Sequence, residues 1–146
     1  MTTATPRAMA AGYDAFLSYN WRDHEAVEQV ASSLQKRDLR VFLDRWYLPA
    51  GIPWVRILEE SIGSCRAVVV FVGAHGLGNW QQRESNLALT RQAADGTFPV
   101  IPVLLPGAEP PLGFLSQNTW LRFPSRPDDD TFLETLAAAI LGGELP

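Results

Sequence analysis

The sequence predicts an α/β fold, a flavodoxin-like three-layer sandwich whose central five-stranded parallel sheet has the order 2-1-3-4-5, with helices on both faces. Short apolar strand candidates alternate with amphipathic helix candidates, as in folds built from right-handed strand-helix-strand crossovers. Residues 67–72, AVVVFV, form an unbroken and largely β-branched run. Such a run is typical of a strand that is covered on both faces in a parallel sheet.

The composition indicates one globular domain. The chain has 146 residues, of which 47% are hydrophobic and 19% are charged, and this is enough for a single core. The formal net charge of −4 and the scattered arginines argue against a basic surface that would bind nucleic acid. The single cysteine, Cys65, excludes an internal disulfide bond.

The segments around the domain carry no targeting signal. The sequence has no apolar run of about 18 residues and no signal-peptide pattern, so it predicts a cytoplasmic protein with no membrane partner. Residues 1–11 are rich in Ala and Thr without periodicity and are predicted to be disordered. Residues 12–141 are the predicted domain, and residues 142–146 are interpreted as a tail or the start of a linker to a further domain, such as a fused sensor.

The first half of the domain contains two strand candidates, residues 13–19 (YDAFLSY) and residues 40–44 (RVFLD). Between them, Asp23 is predicted to cap a helix whose apolar positions follow the helical period. These positions are Ala26, Val27, Val30, Ala31 and Leu34. After the second strand, Pro53 suits the first position of another helix, which is predicted to end near Gly63. Its periodic positions are Trp54, Ile57, Leu58, Ser61 and Ile62.

The last part of the domain is predicted to contribute two strands and a helix. Residues 98–105 are apolar and interpreted as a strand, although Pro99 and Pro102 remove ladder donors and place it near a sheet edge or make it irregular. Residues 119–123 are the fifth strand candidate, and the acidic residues 128–130 precede a final helix. Its predicted buried positions are Phe132, Leu133, Leu136, Ala137, Ile140 and Leu141.

Residues 66–84 lead from the central strand into a helix that carries a carboxylate. Asn79 is predicted to cap this helix, and Gln82, three residues later, completes a capping-box spacing. Trp80 is therefore the predicted first helical residue.

The spacing predicts an unusual environment for Glu84. With about 3.6 residues per turn, this glutamate shares one side of the helix with apolar groups instead of pointing into bulk water. That side is predicted to contain Trp80, Glu84, Leu87 and Arg91. The alternative is that Glu84 stabilises the helix N-terminus through the macrodipole or pairs with Arg83 or Arg91.

The predicted topology brings three segments together. In a sheet of order 2-1-3-4-5, ligands bind beyond the carboxyl ends of the strands, at the switch between strands 1 and 3. Residues 18–21, 44–51 and 80–84 are all predicted to meet at this switch. The edge of the sheet near Glu84 is therefore the predicted binding site.

Several other chemistries are not supported by the residues present. His24 and His75 are isolated and the chain has one cysteine, so no metal site is predicted. Cys65 is interpreted as a small buried apolar group, and no hydrolase triad can be assembled around it. The glycines after the third strand do not have the dinucleotide-binding spacing and are interpreted as turn residues. They are Gly73, Gly76 and Gly78.

Three motifs in order, YDAFLSY, RVFLD followed by LPAG, and AVVVFVG leading to WQQRE, resemble the TIR (Toll/interleukin-1 receptor) domain family over about residues 12–141. The chain is most similar to the bacterial, NAD-cleaving branch. In that branch the helix after strand 3 carries a W-x-x-x-E pattern, which Trp80 and Glu84 match, and the glutamate is catalytic. Adaptor and receptor members generally lack this glutamate.

The resemblance implies an NAD+ glycohydrolase that releases nicotinamide, with a cyclising activity as an extension, acting as a self-assembling effector in bacterial immunity or signalling. It implies NAD+ as the substrate, with neither a separate cofactor nor a metal. Glu84 is the implied catalytic residue. The implied substrate-binding residues are Trp80, Phe16, Ser18, Asp44 and Trp46. Core packing is the alternative for Phe16, and a surface or capping role is the alternative for Asp44.

The second hypothesis is a non-catalytic module that binds other TIR domains. Residues 45–53 follow the second strand, and such a loop lies on the surface, where a cluster of large apolar groups usually marks a contact. Homotypic TIR association through this loop is expected under either hypothesis. The assembly residues predicted in the loop are Trp46, Tyr47, Leu48, Pro49 and Gly51.

Overall fold

Five parallel strands form one sheet in the order β2-β1-β3-β4-β5 in a computed structural model of the chain. The structure describes residues 12–43, 54–109 and 118–142, with only the backbone of residues 54–58 and 79–80. The strands are β1 (Ala15–Ser18), β2 (Val41–Leu43), β3 (Ala67–Val72), β4 (Val100–Leu104) and β5 (Leu121–Arg122). The predicted sheet order and fold class are confirmed.

In the part of the chain described above, four helices connect and cover these strands: α1 (His24–Lys36), α2 (Trp54–Ser64), α3 (Asn79–Ala94) and α4 (Asp130–Ile140). A short 3-10 helix, Trp21–Asp23, precedes α1. Within the described ranges, no helix combines the length and hydropathy needed to cross a membrane.

The two faces of the sheet carry separate apolar clusters. One cluster joins Ala15 and Leu17 of β1 to the apolar residues of α1 and α4. The other contains Phe16 of β1 and, from the helices on the opposite face, Ile62 and Ala88. Because successive side chains of a strand point to opposite faces, Ser18 lies on the same face as Phe16, on the side of α2 and α3.

The proline-containing strand β4 lies inside the sheet and not at its edge. Pro102 is paired in register with Val70 of β3. On its other side β5 is short and pairs only with Val103 and Leu104, so the pairing of the two strands does not include Pro102. A proline is tolerated here because β5 begins only opposite Val103, beyond the position at which an N–H of Pro102 would be needed.

Helix α3 begins one residue earlier than predicted. Its N-cap is Gly78, which has an extended backbone and makes no side-chain capping hydrogen bond. The predicted cap from Asn79 and the capping box with Gln82 are therefore wrong. The backbone N–H of Gln82 donates to the Gly78 carbonyl at 2.9 Å, so an extended glycine backbone starts the helix without a capping side chain.

Candidate functional site

The buried face of α3 is polar. Gln81 and Glu84 are each 1% exposed and Ser85 is 2% exposed, and Ala88 completes the i, i+3, i+4, i+7 spacing of one helix face. A helix that covers a sheet normally buries apolar groups at these positions. Glu84 is buried, as predicted, but its face is rotated from the predicted one: Leu87 and Arg91 are only half-buried.

Glu84 is hydrogen-bonded to the end of β1. The Ser18 hydroxyl donates to Glu84 Oε1 at 2.7 Å, and Ser18 is itself fully buried. Hydrogen bonds to a charged acceptor are shorter and stronger than neutral ones, so this contact orients the carboxylate when it is ionised. Ser18 is the last residue of β1, beside β3, at the predicted binding edge of the sheet.

Gln81 ties the first turn of α3 to two strands. Its Nε2 donates to the carbonyl of Ser18 at 3.2 Å and to the carbonyl of Phe71 at 2.6 Å. Sequence reasoning missed this residue because a glutamine gives no apolar signal. In the described part of the chain, four of the five buried polar side chains belong to this cluster, and the fifth is Ser61. The four are Ser18, Gln81, Glu84 and Ser85.

Arg91 does not neutralise Glu84. Its Nη1 donates to the carbonyls of Ile62 at 2.5 Å and Cys65 at 2.7 Å, and its guanidinium lies 3.8 Å from the centre of the Phe98 ring. The cation therefore binds carbonyls at the C-terminal end of α2, where the helix dipole favours positive charge. The predicted alternative of a pair between Glu84 and Arg91 is wrong.

A second carboxylate lies near the same edge of the sheet. Asp23 occupies the N-cap position of α1 but makes no side-chain capping hydrogen bond there, so its predicted capping role is wrong. Its carboxylate lies against Gly73, where an added Cβ would be 2.3 Å from Asp23 Oδ2. Burial raises the pKa of Asp23, and the nearby His75 acts in the opposite direction.

The segments next to this second carboxylate contain a capping residue and two glycines with different roles. Asn20 accepts a hydrogen bond from the backbone of Arg22 at 3.1 Å and so caps the 3-10 helix. In the loop after β3, Gly76 has a φ of +70°, which fits the predicted turn role, whereas Gly73 is needed for the close approach of Asp23.

The remaining predicted site residues fall into three groups. Phe16 is fully buried and stacks on Phe42 with ring centres 5.4 Å apart. This position agrees with the alternative that Phe16 packs in the core. The Trp80 backbone lies in α3, one turn before Glu84, while its side chain is outside the described part of the structure. Also outside the described residues are Asp44, Trp46, Tyr47, Leu48, Pro49 and Gly51.

His24 and Cys65 both make structural contacts. His24 Nδ1 lies 2.8 Å from the Trp21 carbonyl, and the two rings stack. The Cys65 thiol donates to the Ile62 carbonyl, and burial raises its pKa to about 11, which disfavours a reactive thiolate. Among the residues that the structure describes, no three His, Cys, Asp or Glu side chains are grouped so that they could hold a metal ion.

Comparisons with known proteins identify relatives of this fold. The TIR domain of the Toll-related receptor TRR-2 from Hydra magnipapillata has 18% identity and a TM-score of 0.71, and the match covers 88% of this chain and 98% of that domain. The TIR domains of the activated Roq1 resistosome, which recognises the pathogen effector XopQ, have 25% identity and a TM-score of 0.56. That match covers 65% of this chain and 58% of the Roq1 chain.

A TIR-STING receptor from C. gigas, solved with 2',3'-cGAMP, has 20% identity and a TM-score of 0.65, with 99% of this chain and 43% of that receptor covered. This chain therefore spans about half the length of the Roq1 and C. gigas chains. No curated protein sequence matches it. The family model described as TIR domain matches residues 15–137, which include β1, α3 and most of α4. The chain therefore belongs to the TIR domain family.

Proposed function

We propose that this TIR domain is an NAD+ glycohydrolase that breaks the bond between nicotinamide and ribose. The observation that carries the proposal is the buried Glu84, which accepts a 2.7 Å hydrogen bond from Ser18 at the carboxyl end of β1. The W-x-x-x-E spacing of Trp80 and Glu84, on the helix that follows β3, supports the same assignment. A carboxylate buried in place of an apolar group costs stability, and such exceptions cluster at functional sites.

One oriented carboxylate is chemically sufficient for this reaction. Nicotinamide leaves as a neutral molecule from a cationic ring, so no general acid is needed, unlike in ordinary glycosides. Glu84 would stabilise the positive charge that develops on the ribose as the bond breaks, and such electrostatic stabilisation is strongest in a site that excludes water. Addition of water to the ribose gives ADP-ribose, and attack by the substrate's own adenine gives a cyclic product.

Ser18 has a supporting role in this proposal. Its hydroxyl donates to one oxygen of Glu84, which restricts rotation of the carboxylate. A carboxylate held in one orientation loses less freedom on reaching the transition state.

Self-association is the proposed means of activation. Glu84 is 1% exposed, so substrate must displace covering groups before it reaches the carboxylate. Contacts with a second copy of the chain, through the loop at residues 45–53, would supply the free energy for this rearrangement. The Roq1 relative was solved as an activated resistosome. A role in immunity or signalling belongs to the same proposal.

A non-catalytic TIR-TIR interaction module is the second candidate function. The burial of Glu84 favours it, because a carboxylate closed to solvent in the isolated chain needs no substrate to explain its contact with Ser18.

Nicotinamide release separates the two candidates. Purified chain would be incubated with NAD+ over a wide dilution series, and products would be separated by chromatography. We expect nicotinamide and ADP-ribose, or a cyclic product, with specific activity that rises with protein concentration and falls in Gly51→Arg. No release at any concentration would contradict the enzyme and leave the interaction module, while release independent of concentration would contradict activation by assembly.

A further inference from the structure

We propose that Gln81 is a positioning residue. Its side-chain amide fixes the first turn of α3 to the carboxyl ends of β1 and β3, and this keeps the Glu84 carboxylate within hydrogen-bond distance of the Ser18 hydroxyl. This inference rests on the proposed function, because it assigns a role in the same site. Gln81 would not touch substrate and would act only through Ser18 and Glu84.

The hydrogen bonds of Gln81 determine the orientation of its amide. Nε2 lies 3.2 Å from the Ser18 carbonyl and 2.6 Å from the Phe71 carbonyl, and both acceptors require an N–H donor. The two amide hydrogens are therefore both used, one toward each strand. Ser18 is held at two points by the same helix, at its carbonyl by Gln81 and at its hydroxyl by Glu84.

The loop that leads into α3 makes a long contact with the rest of the domain. The N-cap of α3 is Gly78, which has no side chain to cap the helix, and Gly76 in the preceding loop has a positive φ. The Asn20 amide reaches the Gly76 carbonyl only at 3.5 Å, the long limit of a hydrogen bond. The loop is closed by the Gly76 N–H, which donates to the Gly73 carbonyl at 3.0 Å, but this bond does not reach α3. Gln81 supplies two bonds from the first turn of α3 itself, at 3.2 and 2.6 Å.

Packing alone does not explain a glutamine here. Gln81 is buried, and its Oε1 has no hydrogen-bond partner in the described part of the chain. A buried acceptor without a partner destabilises the folded state, whereas an apolar side chain of similar length would avoid this penalty. The amide therefore has a role that an apolar residue cannot perform, and its two donated bonds identify that role.

The test compares two identical substitutions on one helix. Gln81→Met keeps the length of the side chain and removes both donors. Gln92→Met is the matched control, because Gln92 is also on α3 and its Nε2 also donates to a backbone carbonyl, that of Phe98 at 3.0 Å. We expect Gln81→Met to lower kcat for nicotinamide release about tenfold or more with KM changed less than about threefold, while Gln92→Met leaves kcat at the parental value.

A crystal structure of Gln81→Met gives a readout that does not depend on activity. We expect the distance between Ser18 Oγ and Glu84 Oε1 to increase from 2.7 Å to beyond about 3.5 Å, where the hydrogen bond is lost. If Gln81→Met does not fold, Gln81→Asn replaces it, because the shorter amide cannot reach both carbonyls. Its expected changes in kcat and in this distance have the same direction.

The outcomes separate this inference from the proposed function. A parent without NAD+ cleavage overturns the proposed function, and the Ser18 to Glu84 distance in the variant still decides whether Gln81 positions Glu84. Parental kcat, or an unchanged distance in the folded variant, overturns the role of Gln81 and leaves the proposed function intact. An equal loss of kcat in Gln92→Met shows a general destabilisation of α3 and also overturns the inference.

Discussion

Helices α1 and α3 cover opposite faces of the same sheet. The side chains that α1 buries are apolar, whereas those that α3 buries are mostly polar. The buried residues of α1 are Val27, Val30, Ala31 and Leu34, all apolar. On α3, the corresponding stripe contains Gln81, Glu84 and Ser85, with Ala88 as its apolar member. Burial of apolar surface is the main favourable term in folding, so α1 supports the stability of the domain while α3 gives up part of that contribution.

The difference in polarity identifies the buried face of α3 as the candidate functional site. A polar group loses its hydration when it is buried, and hydrogen bonds must replace that hydration. On α3 these bonds run to the ends of β1 and β3, where ligands bind in folds of this topology. Substitutions on the two helices should therefore separate stability from function.

Leu34→Ala on α1 should have the largest effect on stability. The side chain is fully buried, and removing a buried leucine side chain typically costs about 2–5 kcal/mol because a cavity remains. Denaturant unfolding followed by circular dichroism would measure this loss. At a temperature where the variant is folded, kcat should match the parent, and a selective fall in kcat would contradict the division between the two helices.

Ser18→Ala should have the next largest effect, on activity. The substitution removes the donor to Glu84 with little change in volume, and a hydrogen bond to a charged group contributes about 1.5–3 kcal/mol. We expect kcat/KM for NAD+ to fall about tenfold or more. Ser64→Ala is the control, since that hydroxyl donates to the Glu60 carbonyl on the surface of α2. Equal activity of the parent and Ser18→Ala would show that Ser18 does not orient Glu84.

Gly73→Ala should destabilise the domain to a smaller extent. The new Cβ would lie 2.3 Å from Asp23 Oδ2, so the carboxylate must move, and overpacking typically costs about 1–3 kcal/mol. In the background of Asp23→Ala the same change should be nearly neutral. A double-mutant cycle by thermal unfolding would measure the coupling, and additive effects would contradict a direct contact.

Asp23→Asn should give the smallest change, a gain in stability near neutral pH. Burial raises the pKa of Asp23 above its ordinary value of 3.8, so the folded state binds this proton more tightly than the unfolded chain. The stability contribution of Asp23 is therefore complete below pH 3.8 and decreases as pH rises through the raised pKa. Asparagine does not ionise, so Tm of the variant should exceed the parental Tm near neutral pH, with a smaller difference in acid. A constant difference across pH would contradict this origin.

The two helices also differ in how far the sequence predicted them. The apolar stripe of α1 and the limits of β3 at residues 67–72 follow from local patterns, and the structure has both. The resemblance to TIR domains and the spacing of Trp80 and Glu84 predict where the candidate site lies.

The contacts inside the site did not follow from local patterns. Ser18 and Glu84 are 66 positions apart, and Gln81 bonds carbonyls 63 and 10 positions away. Asp23 has the local signature of a helix cap, but its carboxylate contacts Gly73 instead. Tertiary contacts of this kind appear only once the strands and helices are assembled.

Glu84→Gln tests most directly whether the polar face of α3 serves catalysis. Glutamine keeps the volume, and its Oε1 can still accept the Ser18 hydrogen bond, so the substitution removes the charge and replaces the second oxygen with an NH2 group. Nicotinamide release and the unfolding midpoint would be measured on the same samples. We predict a loss of release of about 100-fold or more with a parental unfolding transition, because charge stabilisation of the transition state is lost. Near-parental release by a folded Glu84→Gln would contradict the assignment of Glu84 as the catalytic residue.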